Sequence, residues 1–293
     1  MKRTVLPQAA ILLAMAVFGT IALFVRSIPL RSAEVALYRA LLAVLGIGLF
    51  LLCRRQNPLK GLCRRDLVLL LLSGAAMGFN WILLFEAYRY TSVSLSTLSY
   101  YFAPVLVTLL CPLLFREKLG LHQILCFCMS TLGIVLIVGF SGAGGGNHLV
   151  GVLFGLGAAT LYATVVLLNK AMKSIAGIPR TFLQFLAAAL VLTPYVALTG
   201  GFHLTALSPS GIGALLTVGL LHSGVAYCLY FSALPYVSGQ EASILSYIDP
   251  LVAVLLSLVC FHEPMTLWQV IGGVLILGFS LLNELLPKKH RTP

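Results

Sequence analysis

From Val5 to Val25 the chain runs without a single charged residue, and apolar runs of similar length follow it almost to the C-terminus. This pattern fixes the solvent in which the chain can fold. A membrane-spanning helix needs about 20 consecutive apolar residues, and in lipid each segment must satisfy its own backbone hydrogen bonds. Of the 293 residues, 60% are hydrophobic and only 9% are charged, whereas a soluble domain carries about 25% charged residues. Such a chain cannot cover a water-facing surface. The expected fold class is an all-α polytopic membrane protein.

Apolar runs bounded by charges and turn residues give ten expected spans, at residues 7–26, 34–53, 67–89, 92–115, 122–140, 149–169, 181–200, 209–233, 239–262 and 266–286. Lys2 and Arg3 ahead of the first run imitate a signal peptide. The run is longer than the roughly 7–15 residues of a signal h-region, so a retained helix is expected.

The formal net charge of +11 follows from loop assignment. With the N-terminus inside, only Arg26, Arg31 and Arg89 of the 19 Lys and Arg residues fall on the outer side, while Arg39 falls within the second span. The positive-inside rule then places both termini in the cytoplasm. The basic residues are spread over short loops, which argues against a nucleic-acid partner. The seven cysteines are scattered and odd in number, with no paired clusters of metal-site spacing. No metal and no cofactor are expected.

The chain also repeats itself. Residues 85–119, FEAYRYTSVSLSTLSYYFAPVLVTLLCPLLFREKL, align without a gap on residues 231–265, FSALPYVSGQEASILSYIDPLVAVLLSLVCFHEPM. The matches include Tyr90 with Tyr236, Ser92 with Ser238, Tyr101 with Tyr247, Pro104 with Pro250, Phe115 with Phe261 and Glu117 with Glu263. Apolar composition alone matches leucines, but not prolines, glutamates and tyrosines in one frame. Five spans per half is an odd number, so the halves are inverted, a construction of secondary transporters whose sites lie near the midplane at the repeat interface. The expected division is 1–144 and 145–293, joined through the glycine-rich segment 141–149.

Proline at corresponding positions of both halves is the sequence pointer to such a site. Pro104 and Pro250 fall near the middle of their spans and are read as helix kinks. Asp249 stands beside one of them and Ala103 holds the matching position. An aspartate at a helix centre costs about 2.5–3.5 kcal/mol on insertion scales, so it is expected to face a cavity.

At these residues the chain resembles the EamA-type transporters of the drug/metabolite transporter superfamily, whose aromatic-rich segment, small-residue turn, alanine- or acid-proline pair and terminal aromatic-x-Glu it carries twice. The opening AMAVFGTIALFVRSI and the Arg39 segment LYRALLAV are also similar to that family's first two helices. The resemblance spans nearly the whole chain. It implies two five-helix repeats, a central cavity lined mainly by helices 1, 3, 4, 6, 8 and 9 with helices 5 and 10 behind, and export or exchange of small organic solutes. The acid that some relatives carry in their first helix has no counterpart here.

Candidate substrate-binding residues are Asp249, the tyrosines Tyr100, Tyr101 and Tyr247 beside the expected kinks, and Asn80, Trp81 and His222 near the middle of their helices. Each has a plainer reading: a carboxylate satisfying kinked backbone, core aromatics, or a histidine bonded to a neighbouring helix. Glu86 is placed three residues before Arg89, a spacing that permits a local ion pair. Arg39 either joins Glu86 in a gate or snorkels to the interface. Glu241 suits the first turn of its helix, and Glu117 and Glu263 are expected to cap, pair or gate at opposite faces.

The expected function is a secondary transporter of the bacterial inner membrane, moving an amino acid or related amphipathic solute outward by alternating access. Its partners are a small-molecule substrate and the bilayer. The alternative is a proton-coupled exporter of cationic amines with Asp249 as counter-charge or proton carrier. An intramembrane enzyme is disfavoured because the segment 262–265, HEPM, lacks the second histidine of a zinc motif. A non-transporting receptor would lack a watery cavity.

Overall fold

A computed structural model describes residues 5–115, 120–139 and 148–285. The described residues are helical throughout, with short connections. The first half of the chain contributes α1 (Val5–Gly19), α2 (Ile21–Val25), α3 (Ser32–Cys53), α4 (Arg64–Tyr90), α5 (Val93–Tyr100), α6 (Ala103–Phe115) and α7 (Leu121–Gly139). The second contributes α8 (His148–Ala171), α9 (Gly177–Thr199), α10 (Pro209–Leu216), a π-helix over Thr217–Val225, α11 (Ala226–Ala233), α12 (Gly239–Ser246), α13 (Ile248–Val259) and α14 (Leu267–Leu285).

Seven segments are long and apolar enough to cross a membrane, and three further apolar helices, within residues 121–137, 244–259 and 267–283, are shorter. The chain is therefore a polytopic membrane protein, and the expected count of ten spans is met at full length by seven. Burial is inverted relative to a soluble protein. Leu6, Leu49, Leu52 and Leu198 are exposed, while Arg39, Asn80, Ser99 and His222 are buried. The apolar shell faces lipid, and polar groups collect inside the bundle, where partners can satisfy them.

The two segments that repeat in sequence break at matching places. Ser92 starts α5 by accepting the Leu95 amide at 3.2 Å. Ser238 starts α12 in a capping box, accepting the Glu241 amide at 3.1 Å while the Glu241 carboxylate accepts the Ser238 amide at 2.9 Å. Each half-helix is only 8 residues long, ending at Tyr100 and at Ser246. These are the residues four before Pro104 and Pro250, and a proline ring clashes with the carbonyl at that position. Pro104 and Pro250, read as helix kinks, each stand just C-terminal to a break in the helix. The helix interrupts at Tyr101–Phe102 and at Tyr247, and both prolines lie in the first turn of the following helix, where a missing N–H leaves no helical bond unmade.

Helix 1 is interrupted as well, at Thr20 between α1 and α2. α1 packs on α11 and α13, and at Gly19 the approach is backbone to backbone. A Cβ there would lie 2.6 Å from the carbonyl oxygen of Asp249. α4 packs on α8 and α9, and α3 on α9 and the π-helix. α7 and α14 pair against one another through Gly133 and Gly272, where a Cβ on either would meet the other's carbonyl at 2.6 Å. The expected boundary between residues 144 and 145 lies outside the described residues.

Candidate functional site

The three helix interruptions converge on a cavity of about 340 Å³. Its aromatic wall comes from Phe18 of α1, Trp81 and Tyr88 of α4, Tyr100 of α5, Tyr162 of α8 and Tyr227 of α11. Tyr101, Tyr247 and Asp249 enter from the two broken segments, with Pro104, Ser246 and Ala253 beside them. Arg39 enters from α3. The volume sits at the lower end of the roughly 300–1,000 Å³ of small-molecule pockets, and a mostly apolar wall with a few polar points is the usual composition.

Asp249 belongs to the first turn of α13, where a carboxylate is favoured by the helix dipole. Its Oδ2 accepts the hydroxyl of Tyr101 at 2.7 Å, a bond that joins the broken segment of one half to that of the other. The Tyr101 and Tyr247 rings stand 6.2 Å apart, and Tyr100 meets Tyr162 at 5.4 Å. Aromatic pairs at these separations reinforce one another beyond simple burial, so the wall is a set of braced rings.

Arg39 is only 4% exposed. Its Nε donates to Ser223 Oγ at 2.7 Å, and Ser223 in turn donates to the carbonyl of Val218 at 3.0 Å. The guanidinium lies 4.5 Å above the Trp81 ring and 5.8 Å from Phe85. The expected roles of Arg39, a gate with Glu86 or an interfacial snorkel, are corrected by this burial. Glu86 lies against Arg89 instead, at 3.4 Å. The helical sequence around Arg39 carries no sign that the π-helix covers it.

Two further candidates stand outside the cavity lining. Asn80 is 1% exposed and donates Nδ2 to the carbonyl of Ala158 at 2.6 Å, tying α4 to α8. His222 is fully buried, with Nε2 2.9 Å from Thr20 Oγ1 and Nδ1 3.1 Å from the Thr217 carbonyl. It braces the helix 1 interruption against the π-helix. For Asn80 this geometry gives a direct expectation. Asn80→Ala lowers stability by about 0.6 kcal/mol, and by no more than roughly 1.7, as lost interhelical bonds in membranes do. Transport by the folded fraction stays at the wild-type rate, whereas a collapse of transport at unchanged thermal stability would return Asn80 to the site.

Next to the cavity wall at Tyr88 lies a polar cluster built around an ion pair. Arg26 pairs with Glu263, donates Nε to the Tyr88 carbonyl at 3.0 Å and Nη2 to that of Thr91 at 2.8 Å, and lies 4.7 Å from the Phe261 ring centroid. The second oxygen of Glu263 accepts the Val93 amide at 2.9 Å and the Ser257 hydroxyl. Glu263 thus caps α5, a role that its spacing did not specify. Toward the start of α12, Glu241 accepts from Gln8 at 3.0 Å in addition to its capping bonds. Glu117, the sequence counterpart of Glu263, lies outside the described residues.

A lipid-facing helical bundle whose interrupted helices meet around an aromatic-lined cavity is the architecture of a membrane transport protein. The model of the EamA-like transporter family matches residues 7–139 and again 149–284, and the chain belongs to that family. An uncharacterized transporter of Bacillus subtilis, YxxF, is 32% identical over 92% of this chain and 87% of its own. One from Archaeoglobus fulgidus is 29% identical over 94% and 95%. A solved structure with 18% identity superposes with a TM-score of 0.65 over 94% of both chains, a likeness of fold.

Proposed function

We propose that this protein is a secondary transporter that exports a small organic metabolite, an amino acid or related amphipathic solute, by alternating access. The observation that carries the reading is the cavity at the junction of the two broken segments, with Asp249 reaching across to Tyr101. The architecture behind it is ten spans in two inverted halves, divided near residues 144 and 145. Interrupted helices at a repeat interface are where transporters of this construction bind their substrates. The lysine and arginine bias of the loops supports cytoplasmic termini in a bacterial inner membrane.

In this reading the aromatic wall takes the substrate's apolar part, and Asp249 with Tyr101 takes a polar end. The Arg26–Glu263 lock holds one end shut, and rocking of one half against the other exposes the cavity alternately to each side.

The test is accumulation from a pooled mixture of neutral, aromatic and acidic amino acids and organic amines into proteoliposomes, read by mass spectrometry against protein-free vesicles. Selective accumulation of amino acids is the expected result. Enrichment of amines alone would favour a cation exporter, and no selective uptake by folded, inserted protein would overturn transport.

A further inference from the structure

We infer that Arg39 is the anchor for a substrate carboxylate, and that the cavity is built for a zwitterion whose ammonium group is taken by Asp249 and Tyr101. The inference rests on the transport reading above and narrows its substrate class.

The first ground is the state of the guanidinium. A guanidinium has five N–H donors in a rigid fork. Nε is committed to Ser223, while neither terminal nitrogen has a hydrogen-bond partner among the described residues. Neither is sealed off in the protein, since Arg39 is part of the cavity wall. A buried charge left without a partner costs several kcal/mol, and a fork with two free terminal nitrogens is the geometry that grips a carboxylate in two parallel bonds.

The second ground is how firmly the group is held. The Ser223 bond fixes one edge, and the Trp81 ring lies against one face at 4.5 Å. Ser223 reaches Arg39 from the π-helix, whose wider turn lets its hydroxyl bond the carbonyl five residues back. An arginine that merely snorkelled would keep its head in water and need neither partner. Here the side chain is oriented before any ligand arrives.

The third ground is the opposite charge across the same cavity. Asp249 and Arg39 both line it, yet neither takes part in an ion pair among the described residues. The Asp249 carboxylate has Tyr101 as its hydrogen-bond partner, leaving lone pairs for an ammonium group. A ligand carrying both charges satisfies both residues at once. A simple amine leaves Arg39 unpaired, and a simple carboxylic acid leaves Asp249 unpaired, which is how a polar site rejects truncated analogues. The rings of Tyr100, Tyr162 and Tyr227 make the remaining wall suited to an apolar or aromatic side chain.

The probes are matched sets built on the phenylalanine, leucine and methionine skeletons: each amino acid, the amine lacking its carboxylate, and the acid lacking its ammonium. Binding to the purified full-length protein is read by calorimetry, and each probe competes against pooled uptake in proteoliposomes. At least one amino acid is expected to bind about 10- to 100-fold more tightly than both of its truncated relatives, the range of one charge-assisted contact. Arg39→Gln should bring that amino acid down to the affinity of its amine, with Arg39→Lys recovering part of the gap. Ser223→Ala should weaken the amino acid and leave the amine unchanged, because it loosens only the guanidinium.

An amine binding as tightly as its amino acid in the wild-type protein overturns the inference, even where the variants fail to fold. So does wild-type amino acid affinity in a folded Arg39→Gln. If none of the probes binds but the pool yields selective uptake of another class, the carboxylate anchor fails and transport stands. If the folded, inserted protein takes up nothing, both readings fall.

Discussion

Asp249→Asn is expected to weaken binding of ammonium-bearing substrates by about 10- to 100-fold while leaving the fold intact. The substitution is nearly isosteric, and the amide oxygen of the new side chain can still accept the Tyr101 hydroxyl that now reaches Asp249 at 2.7 Å. What disappears is the negative charge, and hydrogen bonds to charged groups are worth about 1.5–3 kcal/mol against about 1 for neutral ones. The matched acids without an ammonium group serve as the control, because they gain nothing from Asp249 and should bind the variant at least as well as wild type. The same variant separates the two roles open to this carboxylate. As a counter-charge, its loss shows in equilibrium binding of amines and amino acids. As a proton carrier, its loss leaves binding in place and removes accumulation driven by an imposed pH gradient. An Asp249→Asn protein with wild-type affinity for every probe and unchanged response to the gradient would exclude both roles.

The parts of this site that could be read in the sequence are those fixed by local rules. Ser92 and Ser238 announce helix starts, and a proline restricts the helix four residues before it wherever it stands. Tyr101, Tyr247 and Asp249 therefore arrive at the interruptions through local geometry, and all three line the cavity. Residues on uninterrupted helices depend on rotation, where one position is about 100°. Asn80 and Trp81 are neighbours in the chain, but Trp81 faces the cavity while Asn80 faces the Ala158 carbonyl. No periodicity marks the difference, because apolar residues are spread around α4 and its polar ones form no separate face. The π-helix compounds the problem by changing the rotation per residue just where His222 and Ser223 lie. His222 is the rarer and more eye-catching side chain in a membrane segment, yet it is Ser223 that reaches Arg39. The burial of Arg39 is likewise a property of three helices together, and its position early in α3 pointed toward the interface.

Glu263→Gln is expected to open the side of the bundle that the Arg26–Glu263 pair holds shut in the proposed cycle. The Glu263 carboxylate joins three pieces of chain: Arg26 beyond α2, the start of α5 through the Val93 amide, and Ser257 of α13. Glutamine keeps the volume and one acceptor oxygen, so the α5 cap survives in part, but the charge that holds Arg26 is gone. The two side chains are 23% and 20% exposed. The loss should therefore fall between that of an exposed pair, about 0–1 kcal/mol, and that of a buried one, about 3–5. A change of roughly 1–2 kcal/mol moves a two-state equilibrium by about 5- to 30-fold. If the lock closes one side during transport, that shift appears as faster hydrogen exchange in residues 88–97 and 257–263 with the remaining helices unchanged. It also makes a cysteine placed at Leu84, a residue of the cavity wall, in a cysteine-free background more reactive toward a membrane-impermeant reagent added from the lock's side. Transport should slow, because a state that must form in each cycle has lost its main fastening. A purely structural Glu263 predicts a different pattern, with lowered thermal stability, exchange raised throughout the bundle and no sidedness in the labelling. Arg26→Gln should reproduce the sided opening, since it removes the other half of the same ion pair while leaving Glu263 to cap α5.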